Sequence, residues 1–169
     1  MLKNLPKITI ITVVFNAAQE IEATLEDDGI WIFEQSYLPA MLEANSFDTI
    51  CHEHLEFYCF KQIEWIAKKA GLKVIDVEFN DINGGSFSIT AAKVNSSIQP
   101  NLKQLEKIRA YELALGLNQA QIYEDFKQRV KKAKTSLINF LNEACSNKKT
   151  VYGLGASTKG NVLLQYFNI

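Results

Sequence analysis

Cysteine, proline and histidine are all scarce in this chain, and each shortage excludes something. Three cysteines among 169 residues, at positions 51, 59 and 145, are too few and too scattered for a disulfide framework. A reduced, cytoplasmic setting is the expectation. Three prolines and no low-complexity tract rule out a proline-rich spacer. Long apolar runs are missing too. The stretch from Ile8 to Phe15 is too short for a bilayer span, which needs roughly 20 residues. One lysine on each side of Pro6, without a small-residue cleavage site, makes it a poor signal peptide. Neither sign of charge dominates: 18 Lys and Arg face 19 Asp and Glu, a net charge of -1. No global field draws the chain to nucleic acid or to an anionic membrane, so neither is expected as a partner.

What is present suits a soluble α/β chain of one domain or one and a half. Lys7 to Phe15 is apolar and β-branched, the pattern of a buried first strand. Asn16 to Leu25 has helical spacing. Asp27-Asp28-Gly29 is a turn, and Ile30 to Tyr37 a second strand ending before Pro39. Pro39 to Glu43 is a short helical turn. Lys61 to Ala70 is a helix closed by Gly71 at its C′ position. Residues 72–94 read as an antiparallel strand pair around the turn Asn80 to Gly85. Asn95 to Pro100 is a polar boundary, and Leu102 to Leu115 a helix. Asn118 and Gln121 have capping-box spacing before a helix of about 28 residues. That helix has an apolar stripe of Ile122, Phe126, Val130, Ala133, Leu137, Leu141 and Ala144, and a solvated lysine-rich face. Thr150 to Gly155 reads as a strand entering a glycine turn, with a last helix beginning near Asn161.

Three segments carry chemistry. Both histidines fall in Asp48-Thr-Ile-Cys-His-Glu-His-Leu-Glu-Phe-Tyr-Cys-Phe60, with Glu53 between them and Cys51 and Cys59 beside them. Histidine titrates near neutral pH and is the commonest general base. A plain surface loop is the alternative. So is a metal site shared by His52 and His54 on an extended segment, although zinc needs a third or fourth ligand and none has the right spacing. The second segment is Gly153-Leu-Gly-Ala-Ser-Thr-Lys-Gly160, in the strand–turn–helix context that holds phosphate. It matches neither the dinucleotide fingerprint nor Walker A, and a plain tight turn is the alternative. The third, Asn83-Gly-Gly-Ser86, is a hairpin turn or a place where a ligand approaches the backbone.

Taken in order, these segments resemble one family. Trp31 to Pro39, Asp48 to Glu56, Gly71 to Val77, Asn83 to Phe87, and Tyr152 to Asn161 resemble the class I methyltransferases that C-methylate nucleotide-linked sugars. Residues 1–26 are instead similar to the first strand and helix of family-2, GT-A-type glycosyltransferases, although a generic buried strand accounts for them as well. The resemblance implies S-adenosylmethionine as cofactor and a nucleoside-diphosphate 4-keto-deoxysugar as substrate and partner. A base takes the proton alpha to the ketone, and the enolate attacks the methyl group. It places the base at His54, an acidic neighbour at Glu53, and Cys51 where a tyrosine commonly stands. A thiol is the poorer hydrogen-bond donor. Asn83, Gly84, Ser86, Ser157 and Lys159 are the substrate-binding residues it implies.

The family's zinc-binding cysteine segment and its glycine-rich cofactor loop have no counterpart here, so neither zinc nor cofactor ligands are assigned. The expected fold is a partial Rossmann-like class I methyltransferase sheet with an antiparallel terminal strand pair, a long helix and the start of a second α/β domain. Residues 1–26, 27–99 and 100–169 are its expected parts. Such a chain reads as a fused or truncated frame, inactive alone. The alternative is a non-catalytic nucleotide-sugar-binding or interaction module. A sheet without its first strands exposes an edge, so self-association is also expected.

Overall fold

A computed structural model describes residues 18–52, 54, 56–155 and 157–169. The strand expected over Lys7 to Phe15 lies outside them, and so does Glu53. The elements in order are α1 (Ala18–Thr24), β1 (Ile30–Ser36), α2 (Leu38–Glu43), a 3-10 turn (Phe47–Thr49), α3 (Phe60–Lys69), β2 (Leu72–Asn80), a second 3-10 turn (Ile82–Gly84), β3 (Ser86–Lys93), α4 (Leu102–Leu115), α5 (Ala120–Ser146) and α6 (Thr158–Phe167).

The architecture is mixed α/β around a three-stranded antiparallel sheet of order β1-β3-β2. Both outer strands run against β3, so β1 and β2 are parallel to each other, with α2 and α3 in the crossover between them. Side chains alternate across the sheet. The register Phe33, Ile89, Val77 and the register Trp31, Ala91, Val74 lie on one face. Trp31 and Phe33 stack at 4.0 Å on that face, while Ile30 and Ile32 point away and are exposed. α3 and α4 cover the inner face with Phe60, Ile63, Ala67, Leu105 and Ile108. Burying a side chain such as Phe60 or Phe87 is worth about 1.5–3 kcal/mol. The other face mixes Ser88, Thr90 and Glu78 with the exposed Ile30 and Ile32, and is fully buried only at Ala92.

A bulge explains why β2 alternates only in part. The register slips between Val74 and Asp76, so Val74 and the extra residue Ile75 are both buried. The Ile75 carbonyl thereby accepts from the Asn101 N–H at 2.8 Å. Asn101 then caps α4, its side chain accepting from the Gln104 N–H at 3.3 Å and donating to Asp76 at 3.2 Å. Gln104 donates to the Val77 carbonyl at 3.3 Å. The bulge and the cap together fix α4 on the sheet. The polar stretch after β3 is also anchored: the Asp28 carboxylate accepts from the Ser97 N–H, the Ser97 hydroxyl and the Ser96 hydroxyl at 2.9–3.1 Å.

Three sequence expectations give way. Thr150 to Gly155 forms no strand; its side chains stand in solvent and no strand among the described residues completes a ladder for it. Asn118 does not cap α5. The helix starts after Gln119, whose N–H bonds to the Gly116 carbonyl at 2.8 Å, so Asn118 is absorbed in the turn leaving α4. Gln121 donates to Asp125 instead. The stripe on α5 is only partly covered: Val130 and Ala144 are buried, Ala133 is exposed, and the rest are half-buried.

Candidate functional site

The loop between α2 and α3 is built from both ends. At its start, the Thr49 hydroxyl donates to the Ser46 carbonyl at 2.7 Å, and the Cys51 N–H donates to the Thr49 carbonyl at 3.0 Å. The His54 N–H then donates to the Cys51 carbonyl at 3.1 Å. This turn takes the place of the extended segment that the metal alternative required. The rings diverge: His54 is half-buried and lies parallel to Phe57 at 6.0 Å, while His52 is exposed and lines a cleft. No group of three or more metal-ligating side chains forms among the described residues.

At the loop's end, Tyr58 bonds its hydroxyl to the Glu56 carboxylate. That bond, helped by burial, pushes the phenol up to about 12. The Leu38 N–H donates to the Tyr58 carbonyl at 2.8 Å, tying the loop to α2. Every N–H in the first turn of α3 then finds an acceptor, as a helix start requires. Cys59 N–H donates to the Gln62 side chain at 3.0 Å, and Gln62 N–H to the Cys59 carbonyl at 3.1 Å. The other two, Phe60 N–H at 2.5 Å and Lys61 N–H at 3.2 Å, donate to the Glu112 carboxylate of α4. Glu112 is only 7% exposed, and its negative charge faces the positive end of the helix. Burial raises the Cys59 thiol, and the Glu112 charge adds to the rise.

Opposite the loop stands α6. Phe47 stacks on Phe167 at 5.2 Å and meets Tyr166 at 5.9 Å. Lys134 of α5 lies over the Tyr166 ring and donates to its carbonyl at 3.0 Å. The docked helix and the loop enclose a cleft of about 550 Å³ lined by Ile50, Cys51 and His52 on one side and Thr158, Asn161, Val162, Gln165 and Tyr166 on the other. Thr158, Asn161, Val162 and Gln165 follow one helical face. Ser157 caps α6, its hydroxyl oxygen accepting from the Gly160 N–H at 3.4 Å. Lys159 is half-buried in the same first turn.

A second cavity, of about 570 Å³, opens between α2, the β2–β3 turn and α4. Gly84 and Ser86 line this one, whereas Ser157 and Lys159 line neither cavity and only flank the histidine cleft at the first turn of α6; the two cavities share no lining residue. The glycines here have a packing reason. A Cβ on Gly84 would meet the Ser46 hydroxyl at 2.8 Å, and one on Gly85 the Ala40 Cβ at 2.3 Å; both residues have positive φ. Tyr37 forms part of the wall, packed against Phe79 and Phe87 at 4.9 and 4.8 Å. Its hydroxyl is buried without a hydrogen-bond partner among the described residues. Burial holds that phenol far above its ordinary range, and the nearby Glu112 charge adds to the effect.

Sequence reasoning missed Glu112, Tyr37, Asn161 and Gln165. One signal was legible: Glu112 falls on the stripe of Leu105 and Ile108, where a carboxylate at an apolar position needs a partner.

A profile of the C-methyltransferase C-terminal domain matches residues 81–169. The C-methyltransferase NovU of Streptomyces niveus is 31% identical over 146 residues, which make up 85% of this chain and 34% of that protein. The chain thus spans about a third of that relative's length.

Proposed function

Because the chain belongs to the S-adenosylmethionine-dependent C-methyltransferase family, we propose that it carries the proton-transfer and sugar-nucleotide-holding part of such an enzyme. The substrate is a nucleoside-diphosphate 4-keto-deoxysugar, methylated on the carbon beside its ketone. The sheet supports this reading: β1 and β2 run parallel through a helical crossover and β3 returns between them, as an antiparallel terminal pair on a class I sheet requires.

The observation that carries the proposal is the cleft between the histidine loop and α6. Cys51 and His52 stand on one wall, with Thr158 and Asn161 on the other. The first turn of α6, with Ser157, Thr158 and Lys159, suits the diphosphate through its N–H groups and dipole. A histidine of the loop removes the proton alpha to the ketone; its nitrogen gains the proton and the electron pair passes to the carbonyl oxygen as an enolate. The family resemblance favours His54 for this role, and the cleft brings His52 forward beside it.

S-Adenosylmethionine supplies the methyl group in this family. The described residues offer it no seat: the Gly153–Gly155 turn has no strand leading into it, a Cβ on either glycine would touch nothing within 4 Å, and Leu154 is fully exposed. No step of this chain is assigned through the cofactor. The second reading is a nucleotide-sugar-binding module without catalysis.

Deuterium wash-in alpha to the ketone of a thymidine diphosphate 4-keto-6-deoxysugar separates the two. Exchange that is lost in His54→Ala supports the base; exchange that persists in it and vanishes in His52→Ala moves the role to His52. Binding by calorimetry with no exchange leaves the module. No binding and no exchange sinks both.

A further inference from the structure

We propose that the cavity between α2, the β2–β3 turn and α4 binds an uncharged ring bearing hydrogen-bond acceptors, the chemistry shared by a nucleobase and a pyranose. This rests on the nucleotide-sugar reading and assigns one end of that substrate to a place the histidine cleft does not include. Its volume, about 570 Å³, falls within the range of small-molecule pockets.

The walls select the ligand. Phe79, from the end of β2, is 46% exposed, and Tyr111, from α4, is 42% exposed; both offer the cavity aromatic surface that water covers poorly. Phe79 cannot retreat into the sheet, because Tyr37 and Phe87 already fill the space behind it. Ala40, Ala44 and Ile108 add apolar surface. The polar groups are sparse, as in an orienting set. Gln104 spends its amide N–H on the Val77 carbonyl. Lys107 makes no hydrogen bond or ion pair among the described residues and is exposed at the cavity wall, a donor awaiting an acceptor.

Charge excludes the obvious alternative. Glu43 and Asp81 stand on the wall against the single cation Lys107. A diphosphate placed there would meet two carboxylates and one ammonium, an arrangement that repels it. Burial first, then the Glu43 charge and a hydrogen bond to Glu43, raise the Tyr111 phenol. An uncharged ring avoids the repulsion, covers Phe79 and Tyr111, and gives Lys107 its acceptor.

The test is amide-shift mapping of the full chain with four probes: thymidine, D-fucose, thymidine diphosphate and inorganic pyrophosphate. Thymidine or D-fucose, whichever end seats here, shifts the amides of Asn80, Gly84, Gly85, Lys107 and Tyr111 with a Kd of roughly 1 mM, typical of a fragment of this size. Tyr111→Ala and Lys107→Ala each weaken that ring roughly fivefold or more. Binding of thymidine alone assigns the nucleoside end, and binding of D-fucose alone the sugar end. Pyrophosphate leaves these amides still. The proposal falls if neither ring moves them, if pyrophosphate moves them as strongly, or if both substitutions leave affinity unchanged. Thymidine diphosphate that shifts only Thr158, Gly160 and Asn161, while neither thymidine nor D-fucose moves the cavity amides, overturns this inference and leaves the functional reading standing.

Discussion

Removing the Glu112 carboxylate should destabilise the chain by an amount the structure allows one to bound. Glu112→Ala orphans two N–H groups at the start of α3, those of Phe60 and Lys61. Phe60 is fully buried, so water cannot replace its acceptor. An orphaned buried donor costs about 1–3 kcal/mol, and losing a helix cap about 0.5–2 kcal/mol. The lost charge–dipole attraction adds about 0.3–1 kcal/mol. These overlap, because one carboxylate supplies all of them, so the sum is about 2–4 kcal/mol. Gln62 still accepts from the Cys59 N–H, which keeps the helix start from unravelling entirely. Glu112→Gln keeps one oxygen and loses the charge, and should cost about 1–2 kcal/mol. Urea denaturation followed by circular dichroism reads both, with unchanged m-values showing that the unfolded state is unaltered. For a chain of this size the alanine variant should melt roughly 5–15 °C lower. Hydrogen exchange should show Phe60 and Lys61 losing protection. A cost below about 0.5 kcal/mol for alanine, or a glutamine variant as weak as alanine, would refute the reasoning.

Gly85→Ala should cost more than about 3 kcal/mol by chemical denaturation, since its Cβ would lie 2.3 Å from the Ala40 Cβ at a φ of +112°. Adding Ala40→Gly should recover part of the loss and not all, because the backbone strain remains; full recovery would count against that account. Asp28 is held below its ordinary value of 3.8 by the Ser97 N–H first, then by the hydroxyls of Ser97 and Ser96. A depressed folded value gives stability that is present above the unfolded value and fades as pH falls through the folded one. Stability should therefore be flat in this respect above about pH 5 and decline below about pH 4, and Asp28→Asn should flatten that decline; an unchanged acid limb would contradict the sign. Tyr37→Phe removes a buried hydroxyl without a partner, so it should be neutral or stabilising by up to about 1–2 kcal/mol, whereas a loss above about 1 kcal/mol would mean that Glu112 accepts a bond from it.

Local chemistry was legible from sequence, and long-range chemistry was not. Gly71 does end α3 with φ +72, as its place after an apolar helical stripe implied. The strand pair at 72–94 formed because alternating residues and a glycine turn are local signals. Thr150 to Gly155 failed for the opposite reason, since a strand exists only through its neighbours. A shared direction for His52 and His54 belonged only to the metal alternative on an extended segment, and the bond from His54 N–H to the Cys51 carbonyl makes a turn there instead. The convergence of Cys51 and His52 with Thr158 and Asn161 spans more than 100 positions, and nothing in either segment announces the other. It depends on Phe47 stacking with Phe167, a contact between two aromatics that carry no motif.

The same contacts bear on whether the loop can do chemistry. A general base has to be held within hydrogen-bond reach of its proton, and a free loop holds nothing. Here the loop leaves the 3-10 turn at 47–49, against which α6 is docked, and re-enters the fold at Phe60, which α4 grips through Glu112. Tyr58 fastens it once more to the start of α2. The distant α4 and α6 and the neighbouring α2 therefore fix where the loop leaves and re-enters the fold, and substitutions at Phe47, Glu112 or Phe167 should alter proton exchange without touching substrate. If exchange is catalysed, Phe167→Ala should slow it at least tenfold, by undocking α6 and opening the cleft, while leaving the circular-dichroism signal of the sheet in place. Exchange at an unchanged rate in Phe167→Ala would mean that the loop holds its shape without α6, and the cleft would then lose its claim to be the reacting site.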